Sequence, residues 1–183
     1  KDCRSFGWNL KELEAFDPPL ITIVDGFSSR VGLTSNERFQ IRANVDSLLI
    51  TLLEVLDVTG ATRVVIDSLT TLTTTVRSQP QLRKEILTMS AILGNRECTT
   101  LLTAEYRRQG SDSIVYAGSF SPEEYSTQGA IVVNYHEQRD GSYKRSVLIQ
   151  KMRGHRHEFA RKEFEITENG VLVHPDKNVG SDG

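Results

Sequence analysis

The spacing of apolar positions along this chain changes several times, and each change predicts an element. Phe6, Leu10 and Leu13 fall at helical spacing, which predicts a helix over 2–15. Asp17-Pro18-Pro19 ends it, because proline neither donates a backbone hydrogen bond nor continues a helix. Residues 20–24 (LITIV) form a short apolar run closed by Asp25-Gly26 and read as a buried strand. A polar loop over 28–36, with Gly32 inside it, follows. The clearest helix comes next: Val45, Leu48, Leu49, Leu52, Leu53 and Leu56 make one stripe at i, i+3, i+4, i+7, i+8 and i+11, and Gly60 is placed to stop it.

Residues 63–67 (RVVID) are aliphatic up to the acid at their carboxyl end and predict a second buried strand. A Ser/Thr stretch runs over 68–75, and a second amphipathic helix spans 79–93 and ends at Gly94-Asn95. A third apolar strand over 98–104 is again followed by an acid, Glu105. Alternation of this kind predicts parallel strands with helical crossovers on both faces. The pattern then changes. Residues 107–127 form a long polar loop with Gly110, Gly118 and Pro122. Two hairpins follow, one of 130–137 and 143–152 about Arg139-Asp140-Gly141-Ser142, the other of 164–167 and 171–174 about Asn169-Gly170. The expected fold class is α/β: mostly parallel strands flanked by helices, with antiparallel hairpins extending one edge at the C-terminal end. Residues 1–175 read as one domain, and the polar tail over 176–183 as a disordered end or linker.

Composition narrows the function. With 183 residues, 38% hydrophobic and 25% charged, the chain buries a real core. A formal net charge of −2 disfavours a surface built wholly for nucleic acid. Its apolar runs, such as 48–50 and 130–133, fall far short of the ~20 residues that cross a bilayer. Cys3 and Cys98 make no disulfide framework, a usage that suits a reducing cytoplasm. The first residue is Lys1 rather than Met, and 4–13 reads as the middle of an element, so further residues are expected upstream.

Two constellations carry candidate chemistry. Asp67 stands at the carboxyl end of a central parallel strand, where open α/β sheets bind ligands. In nucleotide hydrolases an acid here holds the Mg²⁺ that bridges the β- and γ-phosphates; the structural alternative is a cap for the next helix or turn. No G-x-x-x-x-G-K-[ST] phosphate loop accompanies it within the 183 residues. The second constellation is Lys151-Met152-Arg153-Gly154-His155-Arg156-His157. On an extended strand Lys151 and Arg153 share a face and present an ammonium beside a guanidinium, a pairing suited to phosphate oxygens. Gly154 permits a bend that brings His155 and His157 to a ligand from the side. A solvated basic edge strand is the structural alternative, and a metal site from the two histidines lacks third and fourth ligands at the usual spacing.

Four segments in order, SFGWNL (5–10), VVIDSLTTL (64–72), EEYSTQGAIVV (123–133) and KMRGHRHEFARKEFEITENGVLV (151–173), resemble a KaiC-type domain of the RecA-like P-loop ATPases. The resemblance covers about 5–175. It implies a RecA-like core, ring hexamers and ATP bound with Mg²⁺ between subunits. It further implies Asp67 as the Mg²⁺ acid in cis, and Lys151 and Arg153 as catalytic cations reaching the γ-phosphate in trans, with His157 beside them. Ser5, Met152, His155, Thr167 and Glu168 fall on positions that line the nucleotide; Ser5, Met152 and Thr167 equally suit ordinary packing.

Departures from the family pattern set the remaining expectations. The phosphate loop and a glutamate pair that precede the Ser-Phe-Gly-Trp segment in the family are not in these residues. A missing upstream portion, or a degenerate relative without hydrolysis, accounts for that; a chain without the central strand is expected to fold poorly. Gln128 stands where the family usually carries Asp. Glu124 and Tyr125 occupy the positions of autokinase acceptors, and Ser126 and Thr127 read as loop hydroxyls, so no autophosphorylation is expected. A non-catalytic regulatory module and a RecA-like DNA-handling protein are the other functional classes. The second would need basic residues in the 107–127 loop, where Arg107 and Arg108 are opposed by Asp112, Glu123 and Glu124.

Overall fold

A computed structural model describes residues 2–41, 45–69, 78–104 and 126–179. The threonines at 70–75 and most of the 107–127 loop, including Arg107, Arg108, Glu124 and Tyr125, lie outside the described residues. The chain divides into two compact units, one of Lys11–Thr127 and one of Lys1–Leu10 with Gln128–Gly183.

Within the first unit, α1 (Leu10–Glu14) precedes the short strand β1 (Val24–Asp25), which pairs in parallel with β2 (Phe39–Gln40). The long helix α2 (Val45–Thr59), strand β3 (Arg63–Ile66), helix α3 (Gln79–Asn95) and strand β4 (Thr99–Leu102) follow. β3 and β4 pair in parallel, Val64 opposite Thr100 and Ile66 opposite Leu102, as a strand–helix–strand order requires. One core joins Leu48, Leu52 and Leu56 of α2 and Leu82, Ile86, Met89 and Leu93 of α3 to Val64 and, at its margin, Ile66 and Leu102. Leu48, Leu52 and Leu56 of the predicted α2 stripe are therefore buried, and Gly60 ends the helix at φ +65°, a left-handed conformation suited to glycine. Ser78 caps α3, accepting from the Gln81 amide at 3.4 Å, and Pro80 sits in the first turn.

Three expectations for this region need correction. The segment 2–15 is not one helix: a 3-10 turn over Asp2–Phe6 and α1 are separated at Gly7, whose φ is +73°. The strand read at 20–24 shrinks to Val24–Asp25, and Leu20 is exposed, because its only described ladder partner is two residues long. Finally, β3 is not buried on both faces. Val65 and its neighbour across the ladder, Leu101, are 65% and 58% exposed.

The second unit is a four-stranded antiparallel sheet in the order β5 (Gly129–Glu137), β6 (Tyr143–Met152), β7 (Lys162–Thr167), β8 (Gly170–Asn178). Both predicted hairpins are present. In the first turn Asp140 accepts from the Ser142 amide at 2.9 Å and its hydroxyl at 2.6 Å, which holds the Asp140 carboxyl below its ordinary range. In the second, Gly170 has φ +104°. Buried Ser146 meets His136 across β5–β6 at 2.8 Å. Lys144 pairs with Glu163 across β6–β7 at 3.1 Å and keeps that carboxyl below its ordinary range. The tail read as disordered from 176 instead continues β8 through Asn178, with Lys162 opposite Asn178 and Val179 buried. Pro175 is compatible with this because β8 is an edge strand, where a missing N–H costs no ladder bond.

Candidate functional site

The acid end of β3 is built by backbone geometry. After Ile66 the β3–β4 ladder ends, and Asp67 turns out of the sheet with its carboxyl exposed. Its Oδ1 accepts a hydrogen bond from the Thr103 hydroxyl at 2.6 Å. The Thr103 amide donates to the Ile66 carbonyl at 3.0 Å, and its carbonyl accepts from the Leu69 amide at 2.8 Å. The peptide bond between Asp67 and Ser68 is cis. This is a hard-oxygen donor at the carboxyl edge of two parallel strands, the chemistry that a hydrated divalent cation takes. Among the described residues no group of three or more His, Cys, Asp and Glu side chains could hold a metal ion by itself, and His155 and His157 make no such site.

Asp25, at the carboxyl end of β1, was not singled out by sequence reasoning. Its Oδ1 accepts from the amides of Phe27 at 2.8 Å and Ser28 at 2.9 Å. Hydrogen bonds from Ser28 first, then Ser35 and Phe27, hold its carboxyl far below the ordinary carboxylate range. Those bonds order the turn that follows β1, so Asp25 is a turn residue here. Thr103 was missed as well. A polar residue directly after an apolar strand, beside the strand that ends in an acid, was the available signal.

The basic constellation forms at the end of β6. Ala130 pairs with Lys151 but Ile131 pairs with Ile149, so Gln150 is the extra residue of a β-bulge. Side chains alternate along a strand, and one inserted residue exchanges the faces beyond it. Lys151 thereby comes opposite Ala130 rather than joining the row of Ile149 and Ile131. Arg153 follows two residues on, its amide donating to the Gln128 carbonyl at 2.8 Å. The chain then turns through Met152–His155, closed by the His155 amide on the Met152 carbonyl at 3.3 Å. Gly154 has φ +74° at the third position, where a type II turn demands glycine.

Both histidines are held from the Nδ1 side. His155 Nδ1 lies 3.2 Å from the Arg153 carbonyl and His157 Nδ1 3.4 Å from the His155 carbonyl. A carbonyl only accepts, so each of these contacts is donated by Nδ1–H, and Nε2 is left on the outer side of each ring. Lys151, Arg153, His155 and His157 are thus gathered at one strand end by a bulge and a turn.

The other predicted residues are placed differently. Met152 packs on Gly129, where an added Cβ would stand 3.0 Å from its Sδ, so Met152 has a packing role. The Thr167 hydroxyl donates to the Gly170 carbonyl at 3.1 Å and accepts from the Asn169 amide at 3.2 Å, closing the β7–β8 turn; Glu168 is exposed at its tip. Val147 pairs with Lys162, so Lys151 lies four residues beyond that pair in one direction and Thr167 five in the other. At a strand rise of ~3.3 Å per residue the two groups stand about 30 Å apart along the sheet. The structure therefore does not bring Thr167 and Glu168 to Lys151 and Arg153 within one chain. Ser5 is exposed on the 3-10 turn. Ser126 is buried and Thr127 half-buried. A concavity lined by Tyr135, Tyr143 and Arg145 occupies the end of β6 remote from Lys151.

Comparison with known proteins agrees with these features. A family model described as "ATPase: KaiC" matches residues 1–178. A UPF0273 protein of Aeropyrum pernix is 33% identical over 179 residues, covering 95% of this chain and 67% of the relative. Another, from Thermotoga maritima, is 33% identical over 180 residues, covering 96% and 69%. Among solved structures, the KaiC-like protein PH0186 of Pyrococcus horikoshii superposes with a TM-score of 0.71 at 34% identity, over 95% of this chain and 70% of that one. The parallel strands with their helices and the C-terminal antiparallel sheet are accordingly a KaiC-like, RecA-type fold, and the chain belongs to the KaiC family of ATPase domains.

Proposed function

We propose that this domain binds ATP with Mg²⁺ and hydrolyses it in a homo-oligomeric, six-membered ring, each nucleotide lying between neighbouring copies, to serve switching or signalling in the cytoplasm. The observation that carries this reading is the end of β6, where a bulge at Gln150 takes Lys151 off the face of Ile149 and a glycine turn follows at once with Arg153 in it. A pair of cations, Lys151 half-buried and Arg153 exposed, at a strand end shaped by the backbone in this way is suited to a polyanion brought by another molecule.

In the proposed arrangement Asp67 of one copy orients the metal with its carboxylate, and bound Mg²⁺ neutralises charge on the β- and γ-phosphates. Lys151 and Arg153 of the adjacent copy hold the γ-phosphate oxygens, Lys as a point charge and Arg through two parallel N–H donors. His157 stands beside them with Nε2 available as a proton acceptor, or as a donor once protonated. Ser5, Met152 and His155 line the nucleotide beside these cations; Thr167 and Glu168 of the same copy, about 30 Å away along the sheet, do not reach that nucleotide.

Substitution and mixing test the reading together. Lys151→Ala and Arg153→Ala are expected to keep the far-ultraviolet dichroism of the parent while hydrolysis falls on the order of 10³-fold for the arginine. Protomers carrying Asp67→Asn, mixed in equal amount with protomers carrying Arg153→Ala, should recover about a quarter of parental activity, since random assembly leaves that share of isologue-independent, head-to-tail interfaces intact. Full hydrolysis by both cation variants would overturn the assignment. Failure of the mixture to recover activity would overturn its action in trans.

A further inference from the structure

We propose that Thr103 is a positioning residue for Asp67, its hydroxyl fixing the direction in which the carboxylate faces the cation. The proposal rests on the reading of Asp67 as the metal acid and adds a residue to that site. β3 and β4 are in register to Ile66 and Leu102, so Thr103 is one step past the last paired residue, beside Asp67. Its backbone is tied on both sides of the acid, by its amide to Ile66 and by its carbonyl to Leu69. Residue 103 therefore cannot drift relative to residue 67 without breaking two hydrogen bonds.

On that fixed base the β-branched side chain is stiff about χ1. Its hydroxyl is 2.6 Å from Oδ1, the distance of an O–H donor on a charged carboxylate. Asp67 is exposed, so packing does little to restrict its rotamers; the hydroxyl supplies the restriction instead. A carboxylate with one oxygen held in this way keeps its other lone pairs pointed in one direction, which is how outer residues raise the affinity of a metal ligand.

The test uses the complete protein and reads metal binding as well as turnover. Mn²⁺ binding in the presence of ATP is followed by electron paramagnetic resonance, and half-saturating Mg²⁺ by hydrolysis, for the parent, Thr103→Val, Thr103→Ser and Asp67→Asn. Removing the hydroxyl in Thr103→Val is expected to weaken Mn²⁺ binding about tenfold, whereas Thr103→Ser stays within about twofold of the parent. Melting without nucleotide separates this from misfolding, and Thr103→Ala, which deletes the same hydroxyl, substitutes if the valine variant fails to fold. Parental Mn²⁺ affinity in the valine variant overturns the proposal, as does equal weakening in the serine and valine variants. If Asp67→Asn itself binds Mn²⁺·ATP like the parent, the underlying assignment of Asp67 fails, a result distinct from an effect missing only at Thr103.

Discussion

A carboxylate whose neighbours donate hydrogen bonds becomes a stronger acid, and Asp25 is the residue here for which that has the largest consequence. Its folded form is favoured as the anion by Ser28, Ser35 and Phe27 donors, so its folded pKa lies below the unfolded value. The stabilisation is complete above the unfolded value of ~3.9 and fades as pH falls below it toward the depressed folded value. Acid titration of Asp25→Asn should therefore lose part of the destabilisation that the parent shows below about pH 4. Asp25→Ala, which also removes the acceptor, should lower stability near neutral pH by about 1 kcal/mol. Equal acid sensitivity in the parent and the asparagine variant would contradict this role. At the same scale, the basic strand end was readable from the spacing of Lys151 and Arg153, but its course was not: β6 stops at Met152 and Arg153 enters the turn closed by His155, and the bulge at Gln150 is a property of register between two strands with no signature in either alone.

Elements were legible in proportion to the length of their own pattern. The α2 stripe repeats over three turns and needs no partner to be recognised, and the Asp-Gly and Asn-Gly turns announce their hairpins by φ preference. The short runs near the start fared worse, since a strand of two residues is defined by its neighbour and a helix can be cut by one left-handed glycine. The polar composition after residue 175 misled in the opposite direction, reading as a tail where β8 runs on as an edge strand that also tolerates Pro175. The α3 cap is a feature of the legible kind and can be measured. Ser78→Ala should cost about 1 kcal/mol, and Ser78→Asp should retain most of the stability because its carboxylate caps the same amides and favours the helix N-terminus. Chemical denaturation of the two variants decides it; equal losses would mean that the serine acts through something other than its cap.

For the whole molecule, the change from strand–helix alternation to hairpins after residue 127 matches the boundary between the two compact units. The grouping of Lys1–Leu10 with the C-terminal sheet had no sequence signal, because it depends on contacts between distant parts of the chain. Burial is divided unequally between the units. The hydrophobic core cluster falls wholly within Lys11–Thr127, whereas the antiparallel sheet buries chiefly Ser146, Leu148, Phe164 and Val179 among its described side chains. Ile86, 1% exposed, lies at the centre of the first of these cores. Truncating it in Ile86→Ala should cost about 2–5 kcal/mol, a large share of the stability of an ordinary domain. If the units open separately, that loss falls on one of them: amide exchange in α2, α3, β3 and β4 should accelerate about 30-fold or more, while the amides joining β5 to β6 keep their parental rates. That sheet is mostly local in sequence and carries its own hydrogen-bond ladder, so it has the means to persist when the helical core opens. Acceleration of both sets by the same factor would instead mean that the two units unfold as one.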